Sequence, residues 1–268
     1  MKQMLEQEAS RALRAFFEIT ASGSEQHRAL RALTLHMLEG YTPQLFEQWK
    51  LGPSLEEAVR ELERVHIAFP LELSEDDGLA RVDAVYILRE RKLPAVLPEP
   101  TAFMRYLQHL DEQGAGIYAW LMGELMKACG LTVPFVFPER PFKSVSRMLD
   151  IYWVTHLYLL DTHYLRAPLR SPDAREWTED LLASASWLLE ERRFDLAAEV
   201  AVCLQVAGEA GSDAHREILD ALVRVQQPDG SVLDTTIGEA PGDQVAHTTA
   251  VALLVFAGAA EHPPGSIR

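Results

Sequence analysis

The stretch RVQQPDGSVLDTTIGEAPGDQVAHTTAVALL, residues 224–254, contains the clearest turn signal in this chain. Within it, Pro228 presets the backbone angle for the second position of a type I turn, Asp229 suits the third position and Gly230 the fourth. One apolar helical pattern ends just before this turn, and another begins at His247. The stretch therefore predicts two helices joined by a tight turn and a polar loop.

Helical spacing of apolar residues continues on the N-terminal side of this stretch. It predicts a hairpin over 3–39, helices over 53–69 and 74–92, a pair over 101–129, and helices near 144–164, 173–191, 195–208, 213–226 and 246–260. No strand alternation accompanies them, so we predict an all-α fold of antiparallel helix pairs. Proline-rich stretches at 93–100 and 132–142 interrupt the helices. They predict an N-terminal helical region 1–92, a junction region 93–142 with one helical pair, and a helical region 143–268.

The composition limits the partners of the protein. The 268 residues include 40 acidic and 25 basic side chains, giving a net charge of −15. Such a charge disfavours binding to nucleic acid or to an anionic membrane, and a small molecule or a basic partner fits better. Of these we expect a small-molecule substrate. Cys129 and Cys203 are too few for a disulfide framework. With neither a signal peptide nor a membrane span apparent, we expect a soluble, cytoplasmic protein.

The segment QQPDGS, followed by a polar loop and a helix beginning HTTAVALL, resembles the repeat of the α/α-toroid superfamily. That superfamily includes terpenoid cyclases and protein prenyltransferase β subunits. Val232 stands where the cyclase version usually has tryptophan. A longer resemblance, over residues 152–260, is to an uncharacterised bacterial group of the same superfamily. It rests on the segments YWVTHLYLLDTHYL, FDLAAEVAVCLQVAG, QQPDGS and AHTTAVALL. The resemblance implies a toroid-like partial barrel with a central cavity.

Four polar residues on apolar helices are candidates for a site in that interior. His156 and His163 are seven positions apart, which predicts one shared helical face. Glu199 interrupts a helix that is apolar nearly all round, so its carboxyl should be buried and must be paired, protonated or bound to a cation. His247 lies at the predicted start of the last helix, where we expect the helix dipole to favour a neutral imidazole. Each could instead be a structural core or capping residue.

Together, His156, His163, Glu199 and His247 predict a histidine–carboxylate cluster that suits zinc or non-haem iron. In the zinc-dependent prenyltransferases of the superfamily, a histidine in a place comparable to His247 is a metal ligand. His156, Glu199 and His247 could alternatively serve as catalytic acid–base groups. We expect these three side chains to converge on one point, beneath a loop over 232–246.

Three functions remain open on these observations. The first is an enzyme of bacterial specialised metabolism that acts on a hydrophobic small molecule in the central cavity. The second is a non-catalytic helical scaffold or ligand-binding protein, whose buried polar residues only satisfy one another. The third is a terpenoid-type cyclase, although the chain lacks the Asp-rich motifs of those enzymes.

Overall fold

The protein is all-α. A computed structural model describes residues 2–65, 67–132, 146–233 and 242–262. Within these ranges it contains twelve α-helices, one 3-10 turn and no strand. The predicted fold class is confirmed, and the pairwise packing of the helices is consistent with a bundle or toroid-like arrangement.

The helices have the following bounds: α1 Lys2–Ile19, α2 Glu25–Tyr41, α3 Pro43–Gln48, α4 Gly52–Leu62, α5 Glu75–Glu90, α6 Pro100–Glu112, α7 Gly116–Ala128, α8 Arg147–Asp161, α9 Ala174–Glu190, α10 Phe194–Val206, α11 Asp213–Val225 and α12 Gly242–Glu261. Most predicted helices agree with these bounds to within a few residues. The helix predicted over 53–69 ends earlier, at Leu62, and α3 was not predicted.

The helices belong to two compact units. The first comprises Met1–Ser22, Thr34–Gly52 and Arg147–Arg268, and the second comprises Gly23–Leu33 and Pro53–Ser146. This division differs from the predicted regions 1–92, 93–142 and 143–268. The difference arises because α1 packs extensively along α12, which joins the two ends of the sequence in one unit.

Helix α10 lies at the centre of the first unit and packs against α8, α9, α11 and α12. Its sequence explains this position, because ten of its thirteen residues are buried and apolar side chains occupy every face. Helix α12 is also a core helix. Its segment Gln244–Glu261 is long and apolar enough to cross a membrane, but 72% of it is buried inside the fold.

The Pro-Asp-Gly turn fastens the end of α11 to α1. The amide of Gly230 donates to the carbonyl of Gln227 over 2.9 Å, and that carbonyl also accepts from Nη2 of Arg11 on α1 over 2.7 Å. Gly230 has a φ of +101°, and a Cβ atom there would collide with the backbone of Arg11. Both the conformation and the close approach therefore require glycine. After the turn, the buried Val232 amide donates to Oγ1 of Thr249 on α12.

The second unit contains its own small core. Helix α5 begins with an N-cap at Ser74, whose side chain accepts from the Asp77 amide, and three acidic residues form its first turn. Acidic side chains are favourable at this position because the helix dipole is positive at its N-terminus. Phe69 packs edge-on against Phe103 of α6, with ring centroids 4.8 Å apart.

Candidate functional site

Three helices of the first unit bring a small polar cluster together. Thr155 of α8 donates from Oγ1 to Oε2 of Glu199 on α10 over 2.8 Å. On the other side, Nε2 of His247 on α12 lies 3.7 Å from Oε1 of Glu199. The expected proximity of Glu199 and His247 is thus present in the fold, and Thr155, His156, Glu199 and His247 form what we call the Glu199 cluster.

Glu199 is buried because of its place on α10. The central helix is surrounded by four others, and the Glu199 side chain is only 9% exposed. Its pKa is raised to about 8, mainly by burial and to a smaller extent by the neighbouring Asp195, while the hydrogen bond from Thr155 opposes the increase. At neutral pH the carboxyl group is therefore mostly protonated.

His156 is buried on α8, beside Thr155. Its Nδ1 lies 2.8 Å from the carbonyl oxygen of Tyr152, one turn earlier. A carbonyl can only accept, so Nδ1 carries the proton and Nε2 of a neutral ring carries the lone pair. Burial lowers the pKa of His156 to about 4, against the Tyr152 hydrogen bond, and the nearby His247 lowers it too. His156 is accordingly neutral at physiological pH.

His247 forms the more exposed edge of the cluster, with 45% of its side chain accessible. It does not begin the last helix, as the sequence suggested, because α12 starts five residues earlier at Gly242. The helix dipole acts mainly within the first turn, so its effect on His247 is weaker than expected. Desolvation instead lowers the pKa of His247 and favours the neutral imidazole.

The prediction that His163 shares a helical face with His156 is wrong. Helix α8 ends at Asp161, and His163, Tyr164 and Leu165 have φ values of +48°, +53° and +65°. The chain leaves the helix axis there, and His163 lies exposed in the turn. Oγ1 of Thr162 stabilises this turn by accepting from the Leu165 amide. His163 is therefore not part of the Glu199 cluster.

The cluster's donor set does not complete a metal site. Among the residues that the structure describes, no group of three or more His, Cys, Asp and Glu side chains is arranged to hold a metal ion. Oε1 of Glu199 and Nε2 of His247 lie 3.7 Å apart, but no third ligand is arranged with them in the part of the chain that the structure describes. The described residues therefore do not complete the expected zinc or iron site.

Thr155 is the member of the cluster that sequence reasoning missed. A threonine in an apolar helix commonly bonds its own backbone, so its presence in the sequence gives no signal of a longer contact. Here Oγ1 reaches both the Tyr152 carbonyl, at 2.9 Å, and the Glu199 carboxyl. Cys203, one turn after Glu199, donates from Sγ to the Thr155 carbonyl over 3.8 Å, so α8 and α10 approach closely along this line.

A second buried polar network follows further along α10. Tyr41 donates from its hydroxyl to Oε1 of Gln205 over 2.6 Å, and Nε2 of Gln205 donates to the Val255 carbonyl. The same amide nitrogen lies 3.0 Å from Nε2 of His215 on α11. These contacts join α2, α10, α11 and α12. Gln205 is satisfied within this network, whereas Nδ1 of the buried His215 has no hydrogen-bond partner in it among the described residues.

The described cavities lie elsewhere. A polar surface depression of about 560 Å³ lies along α1, where Glu6, Arg11 and Arg14 contribute to its lining. In the second unit, an apolar depression of about 270 Å³ is lined by residues that include Leu62, Val85 and Val96. Neither is lined by the Glu199 cluster. Most of the loop expected to cover the cluster, residues 234–241, lies outside the described residues.

The fold and this cluster define an all-α protein with a buried, neutral acid–imidazole group. The chain belongs to DUF6895, a family described as a domain of unknown function, whose pattern matches residues 2–257. No curated protein and no solved structure matches the chain.

Proposed function

We propose that the protein is an enzyme that transfers protons to and from a small-molecule substrate at the Glu199 cluster. The observation that carries this proposal is the face-to-face placement of Glu199 Oε1 and His247 Nε2, 3.7 Å apart at the edge of a buried helix interface. Such a pair suits general acid–base catalysis, because burial keeps the carboxyl protonated and the imidazole neutral at neutral pH. One group can then donate a proton and the other can accept one.

The two groups take different roles. Thr155 holds Oε2 of Glu199, so the acidic proton belongs on Oε1, the oxygen that faces His247. With its pKa raised to about 8 by burial, Glu199 is a general acid at pH 7. His247, whose pKa is lowered by desolvation, is neutral and can accept a proton. A substrate placed between them would receive a proton from Glu199 at one atom and lose a proton to His247 from another.

In this proposal the substrate reaches Glu199 from the side of His247. Its side chain is nearly half exposed, whereas Glu199 and His156 are buried. A substrate would therefore approach past the imidazole and place its polar end against the carboxyl. The apolar residues of α8, α10 and α12 around the cluster favour a substrate with a hydrophobic body. The resemblance to the α/α-toroid superfamily supports a toroid-like fold for this bacterial enzyme, and the sequence composition supports a cytoplasmic location.

The experiment compares turnover in matched variants. Purified protein is incubated with a metabolite extract of the cells that produce it, and small molecules are followed by mass spectrometry. We expect compounds that wild-type protein converts to persist with Glu199→Gln. Glu179→Gln removes a carboxylate of α9 that is 63% exposed, and should convert them like wild type. Equal conversion by all three proteins, or by none, would contradict an enzymatic role for Glu199.

A non-catalytic protein is the second candidate, and one observation favours it. Oε2 of Glu199 is already satisfied by Thr155 within the fold, as expected for a buried polar group that only needs a partner. In that case Glu199→Leu should fold and keep every measurable property, and it could gain stability, as replaced buried ionisable groups sometimes do.

A further inference from the structure

The Glu199 cluster is rich in hydrogen-bond acceptors. The hydroxyl proton of Thr155 is directed to Glu199, and the Nδ1 proton of His156 to the Tyr152 carbonyl. What remains is Oε1 of Glu199 and a lone pair on the neutral His247 ring, whose Nε2 lies 3.7 Å from that oxygen. Apart from the acidic proton of Glu199 itself, the cluster has few donors to offer a ligand.

The charged residue that influences the pKa of Glu199 is acidic, not basic. From α10, Asp195 raises the pKa of Glu199, and Cys203 lies buried one turn away. Helices α8 and α12 contribute only the neutral His156 and His247. Among the described residues, no lysine or arginine of any packed helix, α9 and α11 included, contributes to the pKa of Glu199. Glu199 therefore has no lysine or arginine as a partner among these residues, and the basic group nearest to its carboxyl is the imidazole of His247.

We propose that the cluster binds the protonated amine of an organic small molecule, with the ammonium donating to Oε1 of Glu199 and to the imidazole of His247. An ammonium has three donors and no acceptor, which matches the groups that the cluster leaves open. The separation of 3.7 Å between Oε1 and Nε2 allows one nitrogen to lie at hydrogen-bond distance from both. This inference names the substrate class of the proposed enzyme and rests on that proposal for the identity of the site. In the amine complex Glu199 is ionised and holds the ammonium, so His247 is the group left to accept a proton from such a substrate.

Binding of this kind releases a proton. The free site holds a protonated carboxyl, and the complex holds a carboxylate beside an ammonium, so the carboxyl proton passes to the solvent. With a pKa of about 8, roughly one tenth of Glu199 is ionised at pH 7 and roughly nine tenths at pH 9. Only the ionised fraction of Glu199 can bind an ammonium, so the association constant of an amine should rise about tenfold between pH 7 and pH 9. An alkylammonium stays protonated there, because its pKa resembles that of lysine.

The test uses n-hexylamine and n-hexanol as probes of equal chain length. Affinities are measured at pH 7 and pH 9 by titration calorimetry and from the imidazole NMR signals of the full-length protein. For wild type and for Glu179→Gln, we expect hexylamine to bind about tenfold more tightly at pH 9, with close to one proton released at pH 7. In Glu199→Gln the pH dependence and the proton release should disappear.

Four results would overturn the inference. They are absence of hexylamine binding, equal or tighter binding of hexanol, an affinity that falls from pH 7 to pH 9, and a pH dependence that survives in Glu199→Gln. Amine binding without any turnover in the extract would instead refute the enzyme and retain the amine site. Turnover of compounds that carry no amine would retain the enzyme and refute the amine site.

Discussion

Replacing Glu199 by glutamine should stabilise the fold at neutral pH, and the gain should depend on pH. The substitution keeps the shape of the side chain and an oxygen that can accept from Thr155, but it removes the ionisable group. In the unfolded chain the carboxyl has an ordinary pKa of 4.5, whereas burial in the fold raises the pKa to about 8. The folded state therefore resists an ionisation that the unfolded state undergoes freely.

The magnitude follows from linkage. Below pH 4.5 both states are protonated and the wild-type carboxyl carries no penalty. As the pH rises from 4.5 toward 8, the unfolded state loses its proton and the folded state keeps it, so wild-type stability falls. Each pH unit in this window corresponds to about 1.4 kcal/mol, so the deficit reaches about 3 kcal/mol at pH 7. Glu199→Gln avoids this deficit.

Urea unfolding of both proteins at several pH values between 4 and 8 measures the effect. The difference in unfolding free energy is the informative quantity, because His156, with a pKa lowered to about 4 by burial, makes both proteins less stable as the pH falls below 6.5. We expect the difference to be near zero at pH 4 and to grow to about 3 kcal/mol in favour of the variant at pH 7. A difference that does not change with pH, or a wild type that is more stable at pH 7, would refute the reasoning.

Two further substitutions test the contacts around the cluster and the turn. Thr155→Val removes the hydrogen bond that lowers the pKa of Glu199, so that pKa should rise further in an NMR titration and the fold should lose about 1–3 kcal/mol. Gly230→Ala should destabilise the fold by several kcal/mol in thermal unfolding, because the new Cβ meets the Arg11 backbone; Gly208→Ala, at a similar φ of +84° with open space around it, should cost only about 1 kcal/mol. Equal losses at the two glycines would contradict the close approach to α1.

The sequence was sufficient to predict the helices and the burial of Glu199. Both properties are local, since apolar spacing and capping residues define a helix, and an all-round apolar helix such as α10 must be buried. The path of the chain after α8 was not predictable in the same way. The apolar pattern continues to His163, but Thr162 and three residues with left-handed backbone conformation end the helix. None of these three residues is glycine, so the spacing of apolar residues gave no indication of the turn.

Long-range partners were also beyond the sequence. Nothing in the pattern of α1 indicates that it packs along α12, and the apolar faces of many helices would suit it equally well. For the same reason Thr155 was overlooked, because its importance depends on which carboxyl faces it. The domain boundaries followed prolines in the sequence, whereas the compact units follow this packing between the ends of the chain.

Stability and binding are linked at Glu199 through a single proton. The carboxyl that destabilises the fold as the pH rises is the group that must lose its proton to hold an ammonium. A bound amine should thus recover part of the deficit, because it stabilises the ionised form in the folded state only. The titration midpoint of Glu199 in the folded state, which is the upper end of the pH window in unfolding, and the midpoint in hexylamine binding should then report the same pKa, near 8. Two different midpoints would mean that the buried carboxyl and the amine-binding group are separate residues.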